Sequence, residues 1–382
     1  MKLASSLVLV ATLLAGSAAA VEYTVQTCAD LADVDDTLAT VLTIDSSTFA
    51  CDEYTRFRVR NTMTLKATAA SVDFSNFSLK VLGELTVEPD VSFTGVVEQV
   101  KNGGVLSVAE GATVIFMGTS EFTDNSVLLK QLGPVSCGDD CLRIARGVSY
   151  VVKKGGAVHN KGTLTFDGDA TFTRNEVRSD DSNEQGQGGA ISNTGSGSIL
   201  FKSKLTMEDN KGEGVFAGLG GAIYNRGDIV VDSESEFYLN TASDGGAIYQ
   251  TQIGSLVFNG MANFTRNRAV ELQGGALYNG GGVVDFNAGS LFNRNTASSS
   301  GDGGLGGGIH NTDEGVVTLT GSTTFTSNYG LSGGAIFNDN GDLEDGEAAS
   351  TTTFPDDTVF ADNEAEYCPD VFDGDRENCP VV

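Results

Sequence analysis

The sequence contains no Trp, two His, five Pro and only 23 Lys+Arg, set against 51 Asp+Glu and 49 Gly in 382 residues. Each scarcity narrows the field. A formal charge of −28 without any Lys/Arg cluster works against a nucleic-acid partner, because phosphate binding depends on cationic patches that release counterions. Polyanionic lipid is disfavoured on the same ground. Helical architecture is excluded too, since no window sustains a 3.6-residue apolar period, while β-branched and aromatic residues stand in runs bounded by Gly, Asn and Ser. Because 40% of the residues are hydrophobic, a large core is available, and a Gly share about twice the usual ~7% signals turns rather than disorder.

Long apolar runs are also missing, apart from Leu7 to Leu14. With Lys2 before it and Ala18-Ala19-Ala20 after it, that run reads as a secretory signal peptide over 1–20, too short for a spanning helix. No membrane-spanning segment is expected in the mature chain, which keeps 22 bases against 51 acids, a charge of −29. The expected location is secreted or extracellular, at a cell surface or cell wall. An exported chain with six Cys favours disulfides, and their placement favours three local pairs: Cys28 with Cys51, Cys137 with Cys141, and Cys368 with Cys379. A metal site at Cys137 and Cys141 would lack a second pair of ligands. No cofactor and no metal is expected.

What is abundant is a repeat. The hexapeptide Gly-Gly-Ala-aliphatic-x-Asn begins at Gly155, Gly188, Gly220, Gly245, Gly274, Gly306 and Gly333, with Gln250 in place of the Asn once and Gly308 in place of the Ala once. Successive starts lie 33, 32, 25, 29, 32 and 27 residues apart. A β-rich run such as Thr163–Phe166 or Ile229–Val231 comes after each, and then a Phe-x-x-Asn element, as at Phe172–Asn175, Phe264–Asn267 and Phe325–Asn328. A degenerate copy starts at Gly103. Three short strands and three turns per period make one coil of an all-β parallel solenoid, with about 10–12 coils of roughly 25–33 residues. The expected divisions are a signal peptide over 1–20, a cap with irregular coils over 21–100, regular coils over 101–363 with an insertion near 126–154, and a disulfide-bearing cap over 364–382.

Period-two geometry assigns roles within the hexapeptide. The fourth residue, always aliphatic, points inward. The fifth, His159, Ser192, Tyr224, Tyr249, Tyr278, His310 and Phe337, is expected to point outward as an exposed column beside a shallow strip of third-position Ala. Such a column would suit stacking on sugar rings or docking of an extended partner, so it is the candidate binding surface, set against the favoured plainer reading that the rings merely stack on one another and stabilise the sheet. Replacing Tyr224 by Ser should then be mild, whereas Ile223→Asp should be severe. The sixth-position amides, and a second series from Asn125 to Asn363, are expected to stack at two corners.

The paired signature Gly-Gly-Ala-(Ile/Leu/Val) and Phe-x-x-Asn, over residues 103–363, resembles the repeats of the polymorphic outer membrane protein family. That resemblance implies a right-handed parallel β-helix exposed at a surface, with a role in adhesion and a glycan or cell-surface protein as partner. Only 19 residues come after Asn363, so no outer-membrane barrel, self-transport or anchoring is expected to carry over.

Parallel β-helices also resemble pectin-lyase-like enzymes, and a polysaccharide lyase or glycoside hydrolase is the alternative reading. Glycoside hydrolysis needs convergent carboxylates, one of them with a raised pKa. The doublets Asp139-Asp140, Asp180-Asp181 and Asp356-Asp357 do not recur on one strand face, a Gly-His-Gly signature is missing, and a −29 surface repels polyuronates. A non-enzyme is expected, with no catalytic residue. A structural role in an extracellular matrix or cell wall is a third reading. Acidic stretches at Asp342–Asp345 and Asp373–Glu377 could offer oxygen ligands but complete no calcium loop. Arg226-Gly227-Asp228 spells an integrin-type tripeptide in ordinary turn chemistry. Asn76 and Asn263 head glycosylation sequons.

Overall fold

The computed structural model describes residues 20–98, 103–128, 141–143, 149–178, 184–213, 217–271, 273–298, 304–339 and 349–373. Residues 1–19 of the expected signal peptide over 1–20, Cys137, Cys379 and much of the 126–154 insertion lie outside the described residues. The chain is a parallel β-helix. One coil shows the plan: Ile223–Asn225 forms a hexapeptide strand, Asp228–Val231 a middle strand, and Ser235–Tyr238 a Phe-x-x-Asn strand. Middle strands stack twelve deep, and the other two faces share a twenty-stranded sheet. Three strands per coil proves one too few. After the ladder Asn, two- or three-residue strands such as Thr241–Ala242 and Arg268–Ala269 build a seven-stranded ladder of their own. In the insertion, Cys141–Arg143 pairs antiparallel with Ser149–Lys154, while coil-to-coil pairing is parallel.

Register places like residues on like. Val158, Ile191, Ile223, Ile248, Leu277, Ile309 and Ile336 stand in one fully buried row. The Phe-x-x-Asn face aligns Phe237, Phe264, Phe292 and Phe325, with ring centroids 4.7–4.9 Å apart and nearly parallel planes. Middle-face rings meet them edge-on, as Phe258 meets Phe264 at 5.9 Å and 87°. Burying each ring contributes about 2–3 kcal/mol, and each ring pair about 1 kcal/mol more. The third-position Ala residues do not form an outer strip: Ala222, Ala247 and Ala276 are fully buried within the same core. Strand alternation begins only at the fourth position, because the chain bends at the glycine pair and Ala.

Two corners are closed by amides. In the unbroken ladder from Asn125 to Asn363, each side chain contacts three coils. Asn240 Nδ2 donates to Met207 O of the preceding coil and to Asn267 Oδ1 of the next, 3.0 Å each. Its Oδ1 accepts the backbone N–H and the side-chain amide of Asn210, again at 3.0 Å. All four of its hydrogen-bonding positions are used. The residue before each ladder Asn is left-handed, including Arg174 (φ 51°), Leu239 (φ 58°) and Arg266 (φ 55°). At the hexapeptide corner, Asn160 bonds Asn193 and Asn193 bonds Asn225, both at 2.9 Å, and Asn225 bonds Gln250 at 2.6 Å. Gly220 needs its φ of 70°, and a Cβ on Gly221 would stand 2.1 Å from Gly246 O.

The first coils are built differently. Thr48–Val59 and Ser71–Val81 each run through both the Phe-x-x-Asn and hexapeptide faces as one long strand. A short 3₁₀ turn, Cys28–Asp33, packs on this end, with Cys28 joined to Cys51 by a disulfide. Cys368 is also disulfide-bonded.

Candidate functional site

The fifth-position column stands on the sheet side turned away from the core, but it is not an exposed surface. His159, Tyr224 and Phe337 are 5–7% exposed, Ser192 and His310 are fully buried, and Tyr249 and Tyr278 are partly exposed. The rings stack along the axis. Tyr224 to Tyr249 is 5.6 Å, Tyr249 to Tyr278 4.5 Å, Tyr278 to His310 5.2 Å and His310 to Phe337 5.0 Å. Stacking of the rings on one another uses the faces that a sugar would need, which corrects the expected open column.

A further ladder runs along one flank of the column, in the residues just before the glycine pairs and, in the last coil, just before Cys368-Pro369. Lys154, Gln187, Leu219, Asp244, Gln273, Leu305, Ser332 and Tyr367 pair from coil to coil. This ladder runs beside the column: Leu305 packs into the cluster of Phe337, Cys368 and Phe372. On the other flank, His159 Nε2 lies 3.1 Å from Thr194 Oγ1, and Gly280 leaves room for the Tyr278 ring.

Burial sets the chemistry of this covered seam. It lowers the imidazole pKa of His310 to about 3, slightly offset by the Leu305 carbonyl, and it lowers His159 with help from Lys154, Lys161 and Arg56. Both are neutral at physiological pH. Tyr249 and Tyr278 are raised, chiefly by burial, and Asp244 adds to both shifts. Asp244, 9% exposed, is raised to about 6 by burial, against the Gln273 N–H that it accepts at 3.1 Å, with Glu271 adding to the rise. Among the described residues, no three His, Cys, Asp or Glu side chains are placed to hold a metal.

The outer side of the middle face carries a feature that the reading of residue types missed. Leu200, Val230 and Val257 face outward in register on three successive coils, each partly exposed. Val283 and Val316, 43% and 40% exposed, extend this strip two residues along the strand. Its signal was present in runs such as Ile199-Leu200-Phe201 and Leu256-Val257-Phe258. Three consecutive apolar residues on a strand cannot all face inward.

No protein-family profile matches the chain, and no solved structure matches it. Curated relatives do match. A probable outer membrane protein, pmp19 of Chlamydia pneumoniae, is 30% identical over 219 residues, covering 53% of this chain and 20% of that protein. The probable outer membrane protein PmpG of Chlamydia muridarum is 31% identical over 185 residues, covering 44% and 17%. The chain is homologous to chlamydial polymorphic outer membrane proteins. It spans about a fifth of the length of these relatives.

Beside that homology, the remaining sequence candidates have ordinary structural places. Asp228 of the Arg226-Gly227-Asp228 tripeptide accepts the Ser255 N–H and hydroxyl at 3.1 and 2.9 Å, tying two coils together. Asn76, exposed and left-handed, donates to Cys51 O at 3.1 Å, and Asn263 lies partly buried in mid-strand. Asp139, Asp140, Asp180 and Asp181 lie outside the described residues.

Proposed function

We propose that this chain is a surface-exposed, non-enzymatic β-helix that acts through its outer faces as an interaction or adhesion module, with a glycan or cell-surface protein as partner. The carrying observation is the apolar strip on the middle face, partly exposed on a scaffold whose corner Asn side chains are engaged in ladders. A contiguous exposed strip of this kind marks an interaction surface. The relatives' description as outer membrane proteins supports a surface location. The test uses beads coated with the full chain: saturable retention of cultured cells, with no new reducing ends or unsaturated products from a polysaccharide panel, is expected. Absence of retention, or appearance of products, overturns the reading.

One observation favours the enzyme alternative, namely Asp244 with its raised pKa and its neighbour Glu271. A glycosidase pair needs the acid on one side of a bound sugar and the carboxylate on the other. The variant Asp244→Asn separates the readings, because it abolishes any hydrolysis and leaves adhesion intact.

A further inference from the structure

The apolar strip has an acidic frame. Asp228 and Asp232 sit two residues to either side of Val230, and both are exposed. Asp285 is in register with Val257, and Asp313 lies in the turn before Val316. Lys202, two residues beyond Leu200, is bound to Asp167 at 2.7 Å. An occupant must therefore be apolar along its centre and basic along its edges.

We infer that the strip docks a basic amphipathic helix of a partner protein. The inference rests on the interaction reading and names the partner for it. Rows on the middle face recur at the strand spacing of ~4.8 Å, and side chains along one helix face recur every ~5.4 Å, so a helix laid along the solenoid axis meets successive coils with successive turns. Aliphatic side chains at i, i+3, i+4 and i+7 cover Leu200, Val230 and Val257, while flanking Lys and Arg face Asp228, Asp232 and Asp285. A second copy of this chain would set acid against acid at a net charge of −28. An anionic bilayer is repelled in the same way.

The probe is a labelled synthetic helical peptide of Leu and Lys in that pattern, titrated against the full chain at physiological salt, beside a counterpart with Glu for every Lys. The chain binds the Lys peptide and not the Glu peptide. The triple variant Val230→Thr/Val257→Thr/Val283→Thr keeps β-branching and charge, melts with the wild type and loses tenfold or more in affinity. Val257→Thr alone, the safer variant for folding, loses part of that. Val359→Thr, at a 50% exposed position on the Phe-x-x-Asn face, changes nothing. Equal affinity of the triple variant, or binding of the Glu peptide, overturns the inference. So does valine-dependent dimerisation in light scattering, or valine-dependent sedimentation with phosphatidylcholine vesicles. Failure with the peptide while coated beads still retain cells removes this partner and leaves the interaction reading standing, whereas loss of both removes the reading itself.

Discussion

The first coils and the hexapeptide coils solve the same corner in two ways. At the end of the Phe-x-x-Asn face, both use one left-handed residue: Asn76 (φ 53°) and Gly95 (φ 66°) early, Asp124 (φ 56°) and Arg174 (φ 51°) later. The next residue differs. It is Phe77 or Val96 in the first coils, packed into the core, and Asn from Asn125 onward. The join is visible, because Val96 N–H donates to Asn125 Oδ1 at 3.0 Å and so begins the amide ladder from an apolar rung. Backbone conformation alone therefore makes the turn. The Val96 coil already leaves the corner on a short strand, Val97–Glu98, and returns through Gly103-Gly104, so those features do not by themselves require an Asn; from Asn125 onward the Asn adds partners for the polar backbone of the adjacent coils.

The largest expected effect comes from breaking a ladder rung. Asn240→Leu leaves the Asn210 N–H and the Met207 carbonyl without the partner that Asn240 supplies and takes one of two bonds from the Asn210 amide and from Asn267 Oδ1, which keep Phe172 O and the Asn240 N–H; at about 1–3 kcal/mol for each orphaned group and less for each weakened one, a loss of roughly 5 kcal/mol in denaturant unfolding is expected. Val96→Asn, which would extend the ladder by one coil, should stay within about 1 kcal/mol of wild type, since its hydrogen bonds offset the lost apolar packing. A comparable loss there would show that the first coils reject an amide for reasons other than partners.

Next comes close approach. Gly221→Ala forces a Cβ to within 2.1 Å of Gly246 O and 2.5 Å of Thr241 N, and should cost about 3 kcal/mol or more. Gly95→Ala, also at a turn but with nothing within 4 Å, should cost only the ~1 kcal/mol of its positive φ. Similar thermal melts for the two variants would refute this division. At the N-terminal end, Cys28→Ser/Cys51→Ser should cost about 3 kcal/mol by freeing a loop of sequence separation 23. Because solenoid coils couple mainly to neighbours, faster hydrogen exchange should be confined to residues 20–98.

A smaller effect of opposite sign belongs to the covered seam. Asp244 has its pKa raised from 3.8 to about 6, so its favourable contribution is complete below about pH 3.8 and is lost as pH rises through about 6. Above that, its charge costs on the order of 3 kcal/mol. Asp244→Asn should therefore stabilise by about 2 kcal/mol at pH 7.5 and by nothing at pH 3.5. His310 runs the other way: lowered from 6.5 to about 3, it contributes stability above pH 6.5 that is lost as pH falls toward 3. A flat stability difference between Asp244→Asn and wild type across pH would sink the assignment for Asp244.

Tyr224 is the residue that best measures how far the sequence could be read. Alternation correctly set it on the opposite side from Ile223, and Ile223 is fully buried. A position opposite the core is not, however, an exposed one, and the mild effect expected of Tyr224→Ser assumed that it was. In the fold, the Tyr224 ring is 7% exposed and stacked on Tyr249, so the substitution should cost about 3 kcal/mol. The flanking ladder of Gln187, Leu219, Asp244 and Leu305 could not be seen, because those residues share no type. The Asn ladders were legible for the opposite reason, since side-chain bonding from rung to rung needs an amide at each, Asn throughout but for Gln250. The strip through Val230 was legible as well, in runs of three apolar residues, but the repeated aromatic positions drew the functional reading away from it.

From the sequence alone came the period, the inward row of Ile and Phe, the amide corners and the surplus of negative charge. Each of these is written in residue type at a fixed spacing, and parallel in-register stacking turns equal spacing into direct contact. Only the tertiary structure decided which outward residues meet solvent. That depends on which side chains of neighbouring coils pack over the ring column and which leave the middle face bare, and this is set by packing rather than by any repeated residue.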